Sequence, residues 1–205
     1  IHYSGQQGII RRNRFHDTVG PAIQMAIYNR EARHNTDNRI YHNVFYDTDF
    51  AGVQISGGDT VSGNVFLNNI FAKSAFVAND KRWSWWVRTL NGKPVQILTA
   101  RLDGYLFDTN AITGSDPDEE WLITYGGRTS DWSRQYSVSW WESNYPGIIR
   151  NTIQQDPQFV DEAGHDFRLS AGSAMIDAGT FLTCTTGAGF GAMIEVEDAS
   201  YFYDG

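Results

Sequence analysis

Three segments of the chain carry one pattern without a gap: "GIIRRNRFHDT" at 8–18, "NRIYHNVFYDT" at 38–48 and "NVFLNNIFAKS" at 64–74. Gly8, Asn38 and Asn64 open the unit, and Ile10, Ile40 and Phe66 follow. Asn13, Asn43 and Asn69 then precede Phe15, Phe45 and Phe71, and Thr18, Thr48 and Ser74 close it. In the first two copies "AIQM" from Ala22 and "GVQI" from Gly52 extend the match. Self-similarity at such a period points to a stack, because one unit of this size cannot bury its apolar face alone.

Within each copy the apolar residues fall two apart, in short runs rich in Val, Ile, Phe and Tyr, which specifies strands. The central Asn suits a residue that tolerates left-handed backbone at a tight bend. Stacked asparagines can also hydrogen-bond to one another as a ladder. The predicted architecture is all-β, a parallel β-helix (solenoid) in which each coil's strands pair with the next coil and only the two ends expose edges. Inward-facing Ile23, Met25, Val53 and Ile55 leave Gln24 and Gln54 outside, one above the other. Inward-facing Phe15 and Phe45 likewise put His16 and Tyr46 outside.

Other segments interrupt the coils. "NREARHNTDN" at 29–38 reads as a polar loop projecting from the coil edge, and "GYLFDTNAIT" at 104–113 as a degenerate fourth copy with Phe107, Asn110 and Ile112 in place. Between them lies an insertion, "KRWSWWVRTLNGKPVQILT", whose "NGKP" reads as a turn between strand-like runs. "SVSWWESNYPG" predicts a Ser137 cap, about two turns of helix and a Pro-Gly stop. Of the adjacent Trp140 and Trp141, one is expected to pack inward.

A formal net charge of −8 argues against a general nucleic-acid or anionic-membrane binder, and "RRNR" at 11–14 reads as a solvated face. The single cysteine excludes an intrachain disulfide, and no run of about 18 apolar residues exists to span a membrane. Ile1 opens within a strand-like pattern and "YFYDG" follows another, which reads as the interior of a longer polypeptide.

The tail "DPQFVD…DFRLSAGSAMIDAG", from Asp156 to Gly179, resembles the end segment of secreted right-handed parallel β-helix proteins of the pectate-lyase-like superfamily, and "SVSWWESNYPG" resembles the helical turn before it. One departure is "GSAM", where that pattern has proline after the serine. Together with the Asn/Phe coils, the resemblance covers roughly residues 8–74 and 104–179; the expected organisation is β-helix coils over 1–113 with an aromatic insertion at about 79–103, then an insertion, short helix and end segment over 114–179, and the start of a further β segment over 180–205. The resemblance also implies a secreted or cell-surface bacterial protein and a polysaccharide partner. The activity it implies is that of a lyase or glycoside hydrolase, with a non-catalytic carbohydrate-binding or adhesin-like protein, or an architectural spacer, as the alternatives.

A lyase acting on uronates needs a cation to neutralise the carboxylate, calcium or arginine, and a base for the α-proton. Arg30, Arg33, His34 and Asp37 supply a cationic group, an imidazole and a carboxylate on the loop beside Gln24, Gln54 and Tyr28. A hydrolase needs two facing carboxyl groups, for which Asp47 and Asp49, near the matched Asp17, are candidates; the competing reading is turn capping. "NTD" at 35–37 is similar to the first acidic motif of polygalacturonases but no "DD" follows, and "GHD" at 164–166 falls inside the end segment. "DPDEE" at 116–120 lacks the ordered spacing of a calcium loop. All seven tryptophans, Trp83, Trp85, Trp86, Trp121, Trp132, Trp140 and Trp141, lie between 83 and 141. Their flat faces suit sugar rings or a local core, and Trp83, Trp85 and Trp86 are candidate substrate contacts.

Overall fold

A computed structural model describes residues 1–3, 5–18, 20–26, 34–48, 52–56, 60–73, 95–97, 104–113, 122–125, 135–188, 191 and 194–202. The chain makes successive passes through the same sheets. The first pass supplies β1 (His2–Tyr3), β2 (Ile9–Arg11) and β3 (Arg14–Thr18). The second supplies β4 (Ile23–Ala26), β5 (His34–Thr36), β6 (Arg39–Tyr41) and β7 (Val44–Thr48), and the third β8 (Val53–Ser56), β9 (Thr60–Ser62), β10 (Asn64–Leu67) and β11 (Ile70–Ala72). In the fourth come β12 (Val95–Ile97), β13 (Tyr105–Asp108) and β14 (Ala111–Thr113). The fifth has β15 (Leu122–Tyr125), β16 (Gln135–Ser137), helix α1 (Val138–Asn144) and β17 (Ile149–Arg150). A hairpin of β18 (Phe159–Asp161) and β19 (Asp166–Leu169) follows.

The described chain is mostly β, with parallel sheets and one short helix. A six-stranded sheet has the order β1-β4-β8-β12-β15-β16, a five-stranded sheet β17-β13-β10-β6-β2, a four-stranded sheet β14-β11-β7-β3, and β5 pairs with β9. Only β15 with β16 and β18 with β19 run antiparallel among the described strand pairs. The register is that of the sequence repeat: Ile10 pairs with Ile40, Ile40 with Phe66, and Phe66 with Phe107. Phe15, Phe45 and Phe71 also pair in a column, with ring centroids 5.0 and 4.5 Å apart and planes within 7° and 4° of parallel. These rings, with Ile23, Met25 and Val53, form the buried interior. Aromatic stacking at the strand repeat of about 4.8 Å lets each pass bury its neighbour's face without a slip. The fourth copy is as expected, with Phe71 opposite Ile112.

The asparagines form the expected ladder. Asn13 Nδ2 donates to Asn43 Oδ1, Asn43 Nδ2 to Asn69 Oδ1, and Asn69 Nδ2 to Asn110 Oδ1, at 3.0, 3.0 and 2.9 Å. Each acceptor oxygen also takes the backbone N–H of the preceding asparagine at 3.0 Å. A second ladder joins Asn38 to Asn64. It begins at Gly8, whose N–H donates to Asn38 Oδ1 at 2.8 Å while the Tyr3 hydroxyl stands where an amide would be, 3.0 Å from the same oxygen. A Cβ on Gly8 would collide with that hydroxyl.

One expectation is corrected. The left-handed residue at the bend is not the ladder asparagine but the residue before it: Arg12, His42, Asn68 and Thr109 have φ between 50 and 54°, and Asn151, before Thr152, continues their column at 54°. Parallel columns hold Gln7, Asp37 and Gly63, and then Asp17, Asp47 and Lys73. The chain therefore turns at 7, 12 and 17, at 37, 42 and 47, and at 63, 68 and 73. A left-handed residue bends the chain sharply from one sheet to the next, and at the ladder bends the following asparagine bonds a carbonyl of the turn, as Asn13 and Asn43 do to Arg11 O and Tyr41 O.

Helix α1 begins as expected, with Ser137 Oγ accepting from the Trp140 N–H at 3.1 Å. Trp141 is buried in the interior, whereas Trp140 is half-buried against it.

The chain then folds back over its own earlier passes. Phe159 and Phe167 of the hairpin pack on Tyr46 and Ala72, and Glu162 bonds both Lys73 and the Tyr46 hydroxyl. Farther on, Asn68 exchanges hydrogen bonds with the backbone of Thr180 at 2.7 and 2.9 Å. Tyr201, in a 3-10 turn at Ala199–Tyr201, packs on Tyr41 and Leu67. Tyr46 is thus outward-facing as expected but buried. The described part of 180–205 holds that turn and one isolated antiparallel bridge, Thr185 to Val196.

Candidate functional site

The passes are decorated unevenly. The five-stranded and four-stranded sheets are joined by two-residue bends at 12–13, 42–43, 68–69 and 109–110. Strands of the six-stranded sheet are instead flanked in sequence by longer segments: 27–33 after β4, 57–59 after β8, 74–94 before β12, 98–103 after it, 114–121 before β15 and 126–134 after it. All these segments lie outside the described residues. The tail closes part of the other two sheets' outer faces, through Tyr46 and Ala72 on one and Tyr41 and Leu67 on the other. The six-stranded sheet is thus the wall whose strands these longer segments adjoin in sequence.

Two candidates on that wall are described in full. Gln24 and Gln54 lie in register, as expected, on strands whose neighbouring positions Ile23, Met25 and Val53 enter the interior. They are not open to solvent, with exposures of 5% and 0%. Gln24 Nε2 donates to Gln54 Oε1 at 2.7 Å, so these amides satisfy each other along the stack as the asparagines do. Their side chains are thus covered, where alternation alone places them at the surface. Gln96 of β12 continues the register opposite Gln54.

Of the catalytic candidates, His34 sits in β5, paired in register with Thr60. Asp37 is exposed on the bend after β5, with φ 58° and its N–H bonded to the Ser62 carbonyl at 2.9 Å. Arg30, Arg33 and Tyr28 lie outside the described residues, as do Trp83, Trp85, Trp86, Asp49 and the acidic 116–120 run. Asp17 and Asp47 occupy matched left-handed bends, the geometry of the turn reading. Arg11, Arg12 and Arg14 are exposed, as expected of a solvated face.

Sequence reading missed one constellation. His16 Nδ1 lies 2.8 Å from Asp17 Oδ2, and His165 Nε2, from the turn of the β18–β19 hairpin, lies 3.1 Å from the same oxygen. The two imidazole rings are 4.2 Å apart, beside Phe167. A hydrogen bond from His16, with the nearby His165 and His16 charges, holds the Asp17 carboxyl below its ordinary range. His16 was legible as outward-facing. No local signal ties it to His165, because their contact exists only once the tail has folded back.

A different carboxylate is structural. Asp108 accepts from Arg150 Nε and Asn151 Nδ2 at 2.8 Å each and from the Thr109 hydroxyl at 3.0 Å. Burial alone would push its carboxyl up, but these bonds outweigh burial and leave it below the ordinary value. Among the described residues no helix is long and apolar enough to cross a membrane. No family model matches the chain, and no curated protein or solved structure matches it.

Proposed function

We propose that the parallel sheets are the walls of a right-handed parallel β-helix of the pectate-lyase-like type, secreted or displayed at a cell surface, and that the protein binds and acts on a polysaccharide. The observation that carries this reading is the uneven decoration. Segments inserted into a repeat protein on one side commonly build its binding face. Here the insertions of successive passes all flank strands of the six-stranded sheet, while the tail occupies the others. The segment bearing Trp83, Trp85 and Trp86 precedes β12 in sequence, and Trp121 immediately precedes β15. Aromatic residues that precede adjacent parallel strands in sequence suit a linear run of sugar rings. Arg30, His34 and Asp37, from the segment after β4 and the bend beyond it, remain the proposed catalytic groups.

The test is a screen of the protein against acidic and neutral polysaccharides, with and without EDTA. It follows tryptophan fluorescence for binding, absorbance for unsaturated products and reducing ends for hydrolysis. Unsaturated products lost on chelation identify a calcium-assisted lyase, and reducing ends without unsaturation a hydrolase. Binding with neither signal supports the non-catalytic carbohydrate-binding form of the reading. No binding to any glycan overturns it.

A further inference from the structure

We propose that His16, Asp17 and His165 form a binding site for a divalent transition metal of the zinc type, which clasps the tail hairpin to the first pass of the chain. The donor set is two imidazole nitrogens and one carboxylate oxygen, a combination that suits zinc, copper, nickel or non-haem iron rather than calcium or magnesium. Two of the three donor separations are close to those around a bound ion. Donors bound to such an ion at about 2.0–2.1 Å sit about 2.9–3.4 Å from one another. Here the carboxylate oxygen is 2.8 Å from His16 Nδ1 and 3.1 Å from His165 Nε2, and all three donor atoms lie within 4.8 Å of one another.

The site is pre-arranged by contacts that owe nothing to a metal. His16 and Asp17 are fixed by β3, whose register with β7 is set by Phe15 and Phe45. His165 is fixed by the hairpin, which is seated by Phe159 and Phe167 on Tyr46 and anchored by Glu162 on Lys73. Metal affinity rises when ligands need not be ordered on binding. The three donors are partly or fully exposed, so the ion has a path in and room for water at its remaining positions. The ion takes the lone pairs of neutral imidazole nitrogens, so its binding replaces the contacts these nitrogens make to Asp17.

The experiment is calorimetric titration of the EDTA-treated, dialysed full chain with ZnCl2 at neutral pH, alongside His165→Gln, Asp17→Asn and a His2→Gln control. The expected result is one zinc per chain at micromolar affinity, unchanged in His2→Gln and weakened at least tenfold in both site variants. Excess CaCl2 does not displace the zinc from this site. The unfolding temperature of the native protein rises with zinc concentration, because the ion binds only the folded arrangement. Should a variant fail to fold, the visible d–d spectrum of Co2+ on the unaltered protein decides. Intense bands of a four- or five-coordinate site that zinc bleaches support the proposal, and a spectrum of hydrated cobalt overturns it. Equal zinc binding by native protein and folded site variants also overturns it.

Discussion

Replacing Asn69 by alanine should destabilise the protein far more than replacing Asn13, although both occupy the same column of the repeat. Asn69 is an interior rung. Its Oδ1 accepts the backbone N–H and the side-chain amide of Asn43, and its Nδ2 donates to Ile40 O and Asn110 Oδ1. Without that side chain the Asn43 amide still has Ile10 O and Tyr41 O, and Asn110 Oδ1 still has the Asn69 backbone N–H. The buried backbone N–H of Asn43 has nothing, and the Ile40 carbonyl loses its amide. One orphaned buried donor costs about 1–3 kcal/mol, and the lost carbonyl contact about 1 more, so Asn69→Ala should lose about 2–4 kcal/mol. Asn13 is the terminal rung. Its amide donates to Arg11 O and Asn43 Oδ1, and the latter keeps the Asn13 backbone N–H, so Asn13→Ala orphans no buried group. Its loss should stay below about 1 kcal/mol. Urea unfolding followed by far-UV circular dichroism, with the slope checked for constancy, measures both. Equal losses at the two positions would refute the ladder argument, because they would mean that asparagine acts through local bend preference.

Two further substitutions probe strain and an unmet hydrogen bond. The Tyr105 hydroxyl is buried without a partner, and burial pushes its phenol well above the ordinary range. Tyr105→Phe should therefore stabilise by about 1 kcal/mol or more at pH 7, seen as a rise of about 2–4 °C per kcal/mol in thermal unfolding. A phenol whose folded pKa is raised contributes stability that is complete below the unfolded value near 10 and lost as pH rises beyond it. The advantage of Tyr105→Phe should accordingly widen by about 1.4 kcal/mol per unit above about pH 10; a gap that stays constant with pH contradicts the burial. Thr109 is β-branched at φ 50° in a column it shares with Asn68 and Asn151. Thr109→Asn should raise the urea midpoint by the equivalent of about 0.5–1 kcal/mol, and a lowered midpoint would show that its hydroxyl bond to Asp108 outweighs the strain.

Much of this architecture was legible because it rests on side chains that repeat. The Phe15, Phe45 and Phe71 column and the Asn13, Asn43, Asn69 and Asn110 ladder appear in the sequence as the same letters at matched places, and they pair in that register. The left-handed column was not legible at its true position. Arg12, His42, Asn68, Thr109 and Asn151 share a backbone conformation and no side-chain chemistry. Alternation gave Gln24 and Gln54 the correct side of the strand but not their burial, since alternation says nothing of what lies above a face. Tyr41 and Tyr46 are covered, and His16 meets His165, through contacts between distant parts of the sequence. Of the proposed catalytic set, Asp37 is placed at a bend by the rule that also places Gln7 and Gly63, so its position has a structural cause independent of any chemistry.

The returning tail changes what kind of object the stack is. In a plain array each unit touches only its neighbours, so an end can fray while the middle persists, and stability adds unit by unit. Here residues 162 and 165 reach Lys73, Tyr46 and Asp17, Thr180 reaches Asn68, and Tyr201 reaches Tyr41. The first, second and third passes are thereby tied to the last-described part of the chain, across as many as 161 residues of sequence between Arg39 and Ser200. Peeling away the first pass would break contacts that also hold the tail. The ties make the described passes and the tail one cooperative unit, in which local opening at one end is opposed by surface buried well along the stack.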